Sequence, residues 1–286
     1  MTLDQLRIFA AVAEREHVTR AAKALNLTQS AVSATVSTLE ERHGVRLFHR
    51  VGRRIELTET GRAFLVEARG VLARADEARR MLDDAAGLER GHMSLVASQT
   101  IAGYWLPPVL ARFKVRYPGI TIELAIGNSV QAADRVRDGD AELGFIEGPL
   151  DDPALARWQV GEDRLALIGT DPPDEPDAAT LRALPWLLRE EGSGTRTALV
   201  AALEDRGVTI DELNVVLTLP SNEALLSATA SGVGVTALST LVAGPLIASG
   251  TIRAAAFEIA PRPFFGLRHK ERYRSKAADA LLEVIE

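Results

Sequence analysis

A run of short hydrogen-bonding side chains begins at Thr28, and their types and spacing suit contacts with the edges of DNA bases. Val32, Val36 and Leu39 recur at the spacing of one helix face, which turns the side chains between them toward solvent. No Lys or Arg lies between Thr28 and Glu40, so this helix cannot make the common arginine–guanine contact. The predicted base-contacting residues are Thr28, Gln29, Ser30, Ser33, Ala34 and Ser37, with the alanine suited to a thymine methyl group.

Two short helices joined by a tight turn would hold these predicted base-contacting side chains on the outside of the module. Thr19 can cap the first helix and Thr28 the second, because a threonine hydroxyl can accept a hydrogen bond from a free N–H of the first turn. Asn26 can adopt the left-handed conformation that often ends a helix, and Ala21 and Ala22 allow close helix crossing. The pattern predicts a helix-turn-helix that enters a major groove. The alternative is an ordinary helical hairpin of a bundle.

A basic hairpin is predicted directly after the second helix. Gly44 is placed to end that helix, and residues 45–58 alternate around a turn that contains glycine. Residues 1–62 hold ten Lys and Arg against seven Asp and Glu, whereas the whole chain has a net charge of −6. This asymmetry favours contact between the N-terminal module and phosphate. The arginines predicted to touch the DNA backbone or the minor groove are Arg50, Arg53 and Arg54.

A long amphipathic helix is predicted over residues 59–88, with Thr58 as its cap. Apolar residues recur at alternating spacings of four and three, as in a helix that pairs with another helix. The many alanines would allow a close approach. Packing of this helix on its own domain is the alternative. The predicted dimerisation residues form one seam along the helix: Phe64, Ala68, Val71, Ala75, Ala78 and Leu82.

Strands alternate with helices through the rest of the chain, which predicts an α/β domain with a parallel sheet covered on both faces. Breaks near Gly161 and Ala260 suggest two lobes with two crossings of the chain between them. The predicted domains are a DNA-binding domain at 1–58, a linker helix at 59–88, and an effector-binding domain at 89–286, with lobe I at about 91–161 and 261–286 and lobe II at about 162–260.

Hydroxyl and amide side chains cluster where strands of this domain lead into helices. Free N–H groups at the start of a helix, together with such side chains, suit a small anion. Plain helix capping is the alternative explanation for each of these junctions. Glu147 could accept a ligand N–H or repel anions from the cleft. The predicted effector-binding residues are Ser98, Gln99, Thr100, Asn128, Ser129, Glu147, Ser193, Thr195 and Arg196.

The composition gives little support to catalysis. The chain has no Cys, which excludes disulfides and thiolate metal sites, and its five His show no metal-ligand spacing. The Ser193–Arg196 segment lacks the spacing of a phosphate-binding loop. We therefore predict no catalytic residue, no metal and no cofactor. The N-terminus lacks the pattern of a signal peptide and no apolar stretch could span a bilayer, so we expect a soluble, cytoplasmic protein.

The run RAAKALNLTQSAVSATVSTLEERHGVRLFHRVGRRIELTETG at 20–61 resembles the winged helix-turn-helix of LysR-type transcriptional regulators. Segments at 106–128, 145–149, 186–196 and 221–239 are similar to the effector-binding domain of that family. Many family members carry a basic or long polar side chain where this chain has Ala34 and Thr35. Base recognition by hydrogen bonds must therefore fall on Gln29, Ser30 and Ser33.

The resemblance implies a winged helix-turn-helix, a linker helix that dimerises, and two lobes like those of a periplasmic binding protein with the ligand in their cleft. It implies a homodimer or homotetramer on double-stranded DNA with an interrupted-palindrome operator, RNA polymerase as a further partner, and a nucleoid-associated location. The segment WLLREEGSGTR is similar to regulators that respond to sulfur oxyanions, so we expect a small anionic effector of that kind ahead of a short carboxylate. An enzyme and an architectural DNA-binding protein without an effector are the competing hypotheses.

Overall fold

The structure is a computed structural model, which describes residues 1–51, 54–85, 87, 88 and 90–285; of residues 50 and 51 it describes the backbone. The chain forms two compact units, one of residues 1–82 with 138–140 and one of residues 83–137 with 141–286. The first elements along the chain are α1 (Leu3–Arg15), α2 (Val18–Ala24), α3 (Gln29–His43), β1 (Phe48–Val51), β2 (Arg54–Leu57) and α4 (Glu59–Ala85).

Local capping rules account for most of the helix ends in this N-terminal part. Thr28 Oγ1 accepts a hydrogen bond of 3.2 Å from the Ala31 N–H, and Thr58 Oγ1 accepts one of 2.8 Å from the Gly61 N–H. Asn26 adopts a left-handed conformation with φ of 54°, and the C-cap Gly44 has φ of 66°. The two caps and the helix stop that the sequence predicts are thus confirmed, together with the left-handed asparagine.

The cap predicted at Thr19 is wrong. Helix α2 begins at Val18, and its N-cap residue is His17, whose side chain makes no capping hydrogen bond. Thr19 therefore lies inside the helix, and its hydroxyl is free to donate to the neighbouring helix α3 instead.

The core of the N-terminal module is built around Phe9 of α1, which is fully buried. Its ring lies 5.5 Å from the ring of Phe48 and 4.8 Å from that of Phe64, measured between centroids. Leu39 of α3 and Leu47, which precedes β1, pack in the same cluster. Strands β1 and β2 pair antiparallel, so the predicted hairpin is confirmed. One apolar cluster thus fixes the hairpin and α3 relative to α1.

Strands and helices alternate over most of the chain after α4, as predicted, but three strands follow one another between residues 143 and 169, and two between residues 253 and 269, without a helix. The elements are β3 (Gly91–Ser98), a π-helical turn (Ile101–Trp105), α5 (Leu106–Arg116), β4 (Ile120–Gly127), α6 (Ser129–Asp138), β5 (Leu143–Glu147), β6 (Leu155–Asp163), β7 (Leu165–Gly169), α7 (Ala178–Ala183), β8 (Pro185–Arg189), α8 (Gly194–Glu204), a 3-10 turn (Ile210–Glu212), β9 (Asn214–Leu219), α9 (Asn222–Ala230), β10 (Thr236–Ser239), α10 (Thr240–Ala248), β11 (Arg253–Ala254), β12 (Arg262–His269) and α11 (Lys276–Ile285).

The sheets of this domain are mixed, which corrects the prediction of a purely parallel sheet. The first lobe has a five-stranded sheet in the order β4-β3-β5-β12-β6. Strand β3 pairs parallel with β4 and β5, but β12 pairs antiparallel with β5 and β6. In the second lobe β8 and β9 pair parallel, whereas β7 pairs antiparallel with β10 and β11. In the first lobe, the antiparallel pairs arise because the chain leaves that lobe along β6 and returns to it along β12.

Each lobe has its own apolar core. Phe113, Phe145 and Phe264 are fully buried in the first, and Trp186 is fully buried in the second. The indole N–H of Trp186 donates a hydrogen bond of 2.7 Å to the Leu181 carbonyl, so its polar atom is satisfied inside the core.

Candidate nucleic-acid interface and ligand cleft

Helix α3 has one face in the core of the N-terminal module and one face open to solvent. Val32 and Leu39 are buried and Val36 is half-buried. All six residues predicted to contact bases are exposed, namely Thr28, Gln29, Ser30, Ser33, Ala34 and Ser37. The spacing of the apolar residues thus turns these side chains outward together, on a helix held rigidly from behind.

Two hydrogen bonds hold side chains at the start of the exposed face. Thr19 Oγ1 of α2 donates a hydrogen bond of 3.2 Å to Gln29 Oε1, and Thr28 Oγ1 lies 3.1 Å from Ser30 Oγ. The Gln29 amide nitrogen keeps both of its hydrogens, and Oε1 keeps a second lone pair. Gln29 can therefore still make the paired donor and acceptor contact that glutamine makes with adenine.

A buried carboxylate joins α3 to the hairpin of β1 and β2, which is the wing of the module. Glu40, whose side chain is 8% exposed, accepts hydrogen bonds from the Leu47 N–H at 2.7 Å and the Phe48 N–H at 3.1 Å. The exposed Arg46 adds a contact of 3.0 Å to the other carboxylate oxygen. These bonds satisfy two backbone donors at the start of the hairpin. Sequence reasoning missed Glu40, whose only signal is an acidic residue directly after the apolar Leu39.

The basic residues of the wing are only partly described. Arg54, at the start of β2, is exposed. Arg53 and the side chain of Arg50 lie outside the described residues.

The predicted dimerisation residues on α4 fall into two groups that differ in burial. Ala68 is buried and Phe64 is half-buried, and both pack in the N-terminal core with Phe9. Farther along, Val71 is 45% exposed and Leu82 is 73% exposed. Of the other two, Ala75 is half-buried and Ala78 is exposed. The N-terminal part of the seam thus serves its own module, while Val71, Ala78 and Leu82 are exposed in the single chain.

The predicted effector residues lie at the facing ends of strands from both lobes. Ser98 ends β3, Asn128 follows β4, Glu147 ends β5, and Ser193 and Thr195 lie at the start of α8. Two of these residues, Gln99 and Arg196, are half-buried. The other seven are buried, namely Ser98, Thr100, Asn128, Ser129, Glu147, Ser193 and Thr195. The Ser193 side chain makes no capping hydrogen bond on α8. The structure therefore brings the separate junctions together in one cleft.

One hydrogen-bond network joins three of these junctions. Asn222, at the start of α9, donates from Nδ2 to Thr100 Oγ1 at 3.1 Å and accepts from Arg189 Nη1. Arg189 also forms two hydrogen bonds of 2.8 Å with the Glu190 carboxylate. Asn128 Nδ2 donates to Glu190 Oε1 at 3.3 Å. The network thus places a buried guanidinium next to the predicted hydroxyl and amide groups.

A second network surrounds Arg262 at the first residue of β12, which is 2% exposed. Its guanidinium binds both Asp163 carboxylate oxygens, at 2.9 and 2.7 Å, and donates to Thr195 Oγ1 at 3.0 Å. Glu147 Oε1 lies 3.7 Å away, and Glu147 Oε2 accepts from Ser129 Oγ at 3.3 Å. Buried charges of this kind are tolerated because they are paired and hydrogen-bonded.

One group in each network, Arg262 and Glu190, has a pKa shifted by its neighbours. Burial lowers the pKa of Arg262, but Glu147 and Asp163 outweigh burial and raise it. Burial raises the pKa of Glu190, but the hydrogen bonds and charge of Arg189 outweigh it, so the net pKa is lowered. The Arg262 guanidinium and the Glu190 carboxylate are therefore charged at neutral pH.

The two lobes contact each other directly around the cleft. Gln99 Nε2 donates to the Pro220 carbonyl at 2.9 Å, and the Asn222 N–H donates to Gln99 Oε1 at 2.8 Å. Gly194 lies so close to the first lobe that a Cβ there would be 2.6 Å from the Glu147 carbonyl oxygen. Residue 194 therefore needs to be glycine for this approach.

Sequence reasoning identified Glu147 but missed the other charged residues of the two networks, which are Asp163, Arg189, Glu190 and Arg262. Arg196 was the cation expected beside the ligand, but its guanidinium donates to the Arg189 carbonyl at 3.0 Å. The buried cations are Arg189 and Arg262 instead. The Ser98 hydroxyl is buried and has no hydrogen-bond partner among the described residues. Such a group in a native cleft calls for an explanation, and a ligand oxygen is one.

Two further observations concern the described residues. None of their helices is long and apolar enough to cross a membrane. No group of three or more His, Asp or Glu among them has the arrangement of a metal site.

The molecule thus joins a winged helix-turn-helix and a long helix to a two-lobed α/β domain, an architecture that defines a class of DNA-binding regulators. Two family models match the chain: the bacterial regulatory helix-turn-helix protein of the lysR family at residues 3–62, and the LysR substrate binding domain at residues 86–286. The chain therefore belongs to the LysR family of transcriptional regulators, which is not a family of enzymes.

Similar proteins span nearly the whole chain. The HTH-type transcriptional regulator YeiE of Escherichia coli strain K12 is 33% identical over 291 residues, which cover 99% of this chain and 96% of YeiE. The HTH-type transcriptional activator CmpR of Synechocystis is 33% identical over 243 residues, covering 83% of this chain and 79% of CmpR. The crystal structure of full-length CbnR complexed with its target DNA has a TM-score of 0.68 at 23% identity, covering 100% and 99% of the two chains. The fold class predicted from the sequence is confirmed.

Proposed function

We propose that this regulator binds an interrupted-palindrome operator as a homodimer or homotetramer. The single observation that supports this DNA-binding surface most directly is the set of exposed polar residues from Gln29 to Ser37, on a helix whose opposite face is buried. Gln29, Ser33 and Ala34 contact base edges in the major groove, and Arg54 contacts the phosphate backbone or the minor groove. Two such modules related by a two-fold axis read two half-sites.

The exposed apolar residues of α4 support an oligomer. Val71 and Leu82, which lie on the same face of the helix, are 45% and 73% exposed. Large apolar side chains in a row on one long helix are typical of a surface that a partner covers. Dimerisation through the exposed part of the seam gives two modules per particle, and a pair of dimers bridges two operator sites.

We further propose that the cleft binds a small anion, with sulfate, sulfite or thiosulfate ahead of a short carboxylate. The unpartnered Ser98 hydroxyl, the nearby Thr100 and the buried Arg189 support this choice. Donors at the starts of α8 and α9 add positive potential. Arg189 is already neutralised by Glu190, so the cleft suits a compact oxyanion held by hydrogen bonds rather than by an unshared ion pair.

Effector binding changes the shape of the oligomer through the contacts between the lobes. The bonds that Gln99 and Asn222 make across the cleft compete with any ligand that uses the same side chains. A change in lobe arrangement is passed to the DNA-binding modules and to RNA polymerase. In this account the protein is cytoplasmic and associated with the nucleoid.

The test is operator footprinting and bending with the full-length chain in the presence and absence of each anion. The operator is first selected from genomic DNA retained by the protein. The proposal predicts protection of two half-sites and an anion-dependent change in bend angle. Protection that no anion alters would instead support an architectural DNA-binding protein that senses nothing, and turnover of an anion would support an enzyme.

A further inference from the structure

A second pocket lies on the first lobe, between β6, β12 and α11. Its volume is about 680 Å³, and it shares no lining residue with the cleft described above. Trp158 and Val160 of β6 form one side, and Leu282 and Ile285 of α11 form the other. These apolar side chains are only partly covered by the core of the lobe. The pocket is therefore a separate concave site with an apolar floor.

The Trp158 ring is held flat against β12 because its neighbour has no side chain. A Cβ at Gly266, the register partner of Trp158, would lie 2.6 Å from ring atoms Cε2 and Cζ2. Any other residue at 266 would push the indole out of place. The glycine thus keeps an aromatic surface in the wall of the pocket, and such a surface favours stacking with a second flat ring.

The charges in the wall leave one cation for a ligand. Arg274 is paired with Asp279. Arg268 of β12 also lines the pocket and is half-buried, yet its side chain forms no hydrogen bond or ion pair with the residues that the structure describes. A half-buried guanidinium without an anion is the natural partner of a carboxylate. Glu283, also in the wall, disfavours a second negative charge.

We propose that this pocket binds an aromatic monocarboxylate, with its ring against Trp158 and its carboxylate on Arg268. The site is independent of the anion cleft, so the chain holds two ligands of different chemistry at once. A monocarboxylate is preferred to a dicarboxylate because the acidic Glu283 faces the same space.

The test is calorimetric titration of the full chain with phenylacetate, with its neutral amide phenylacetamide, and with benzylamine. The proposal predicts binding of phenylacetate, at least tenfold weaker binding of phenylacetamide, and no binding of benzylamine. Arg268→Gln should weaken phenylacetate by about tenfold or more, because it removes a charge-assisted hydrogen bond. Arg135→Gln, an exposed arginine on α6 of the same lobe, is the matched control and should change nothing.

Two further measurements keep this proposal open to refutation. Thermal unfolding of Arg268→Gln should match the wild type, which separates a binding defect from a folding defect. Phenylacetate affinity should be unchanged in Thr100→Val and in the presence of sulfite, since the two sites share no residue. Equal affinity for phenylacetate and its amide, unchanged affinity in Arg268→Gln, or tighter binding of benzylamine would each overturn the proposal.

Discussion

The hydroxyl of Thr19 on α2 donates a hydrogen bond of 3.2 Å to the carboxamide oxygen of Gln29 on α3. This bond joins the two helices of the helix-turn-helix at the first turn of the recognition helix. It restrains the Gln29 carboxamide through its oxygen and leaves the amide nitrogen free to donate. Preorganisation of this kind lowers the entropy lost on binding.

We expect Gln29→Ala and Ser33→Ala each to relax base preference at one operator position. The estimated loss of discrimination is about 1–3 kcal/mol for each well-formed contact. Arg54→Ala is the contrasting variant, because loss of a contact with the DNA backbone should weaken binding to all DNA sequences alike and reduce the salt dependence of binding. Selection of binding sites from a random library measures both effects. Unchanged site preferences in both helix variants would contradict the assignment of α3.

Glu40→Ala should destabilise the N-terminal module. The change leaves the Leu47 and Phe48 N–H groups without the acceptor that holds them at 2.7 and 3.1 Å. An unsatisfied buried donor costs about 1–3 kcal/mol. Urea unfolding of the full chain measures this loss, and Glu41→Ala, an exposed neighbour, should have little effect. Equal losses in the two variants would show that the buried carboxylate does not hold the wing.

Val71→Asp should split the oligomer. Val71 is 45% exposed in the single chain and lies on the predicted seam, so two such residues approach each other across a two-fold axis. A buried, unpaired carboxylate is costly enough to separate a helical pair. Analytical sedimentation should show monomers with lost operator binding, while Val66→Asp, an exposed residue of the same helix outside the seam, should stay assembled. An oligomeric Val71→Asp protein would contradict the proposed interface.

The N-terminal module could be predicted largely from local sequence. The caps at Thr28 and Thr58, the left-handed Asn26 and the hairpin after Gly44 each depend on residues a few positions apart. The prediction failed at Thr19, because α2 begins two residues earlier than a cap at Thr19 requires and leaves the threonine hydroxyl for a contact with another helix. Short-range rules do not carry that information.

The charged part of the cleft could not be predicted, because its partners are far apart in sequence. Arg262 binds Asp163, 99 positions away, and Arg189 binds Asn222, 33 positions away. In the sequence each of these residues is an isolated charge or amide that could equally lie in solvent. The strand ends marked by Ser98 and Asn128 were predictable because the carboxyl ends of strands follow from the alternating α/β pattern.

Glu190→Gln should make stability less dependent on pH in the acid range. The folded-state pKa of Glu190 is lowered, so its pairing with Arg189 stabilises the fold above the unfolded pKa and is lost as pH falls through the folded pKa. The difference in unfolding free energy between wild type and variant should therefore be largest near neutral pH and shrink as the pH falls through the lowered folded-state pKa. Denaturation at a series of pH values measures it, with the exposed Glu191→Gln as control. A difference that does not change with pH would contradict this role of the pair.

Anion binding in the cleft is the central proposal. Removing either of two buried hydroxyls should weaken anion binding, but the two substitutions should have different effects on the stability of the free protein. Thr100 Oγ1 accepts a hydrogen bond from Asn222, so Thr100→Val should lower both stability and anion affinity, the latter by about 1.5–3 kcal/mol for a charged ligand. Ser98 Oγ has no partner among the described residues, so Ser98→Ala removes an unsatisfied buried group and should leave the free protein as stable as the wild type or more so.

The most direct measurement is therefore calorimetric titration of the full-length wild type and Ser98→Ala with sulfite, sulfate and thiosulfate, beside thermal unfolding of both proteins without anion. The account predicts that at least one of these anions binds the wild type, and that Ser98→Ala binds it about tenfold or more weakly while unfolding at the same or a higher temperature. Equal affinity in the two proteins, or no binding of any of these anions to the wild type, would contradict the proposed oxyanion site.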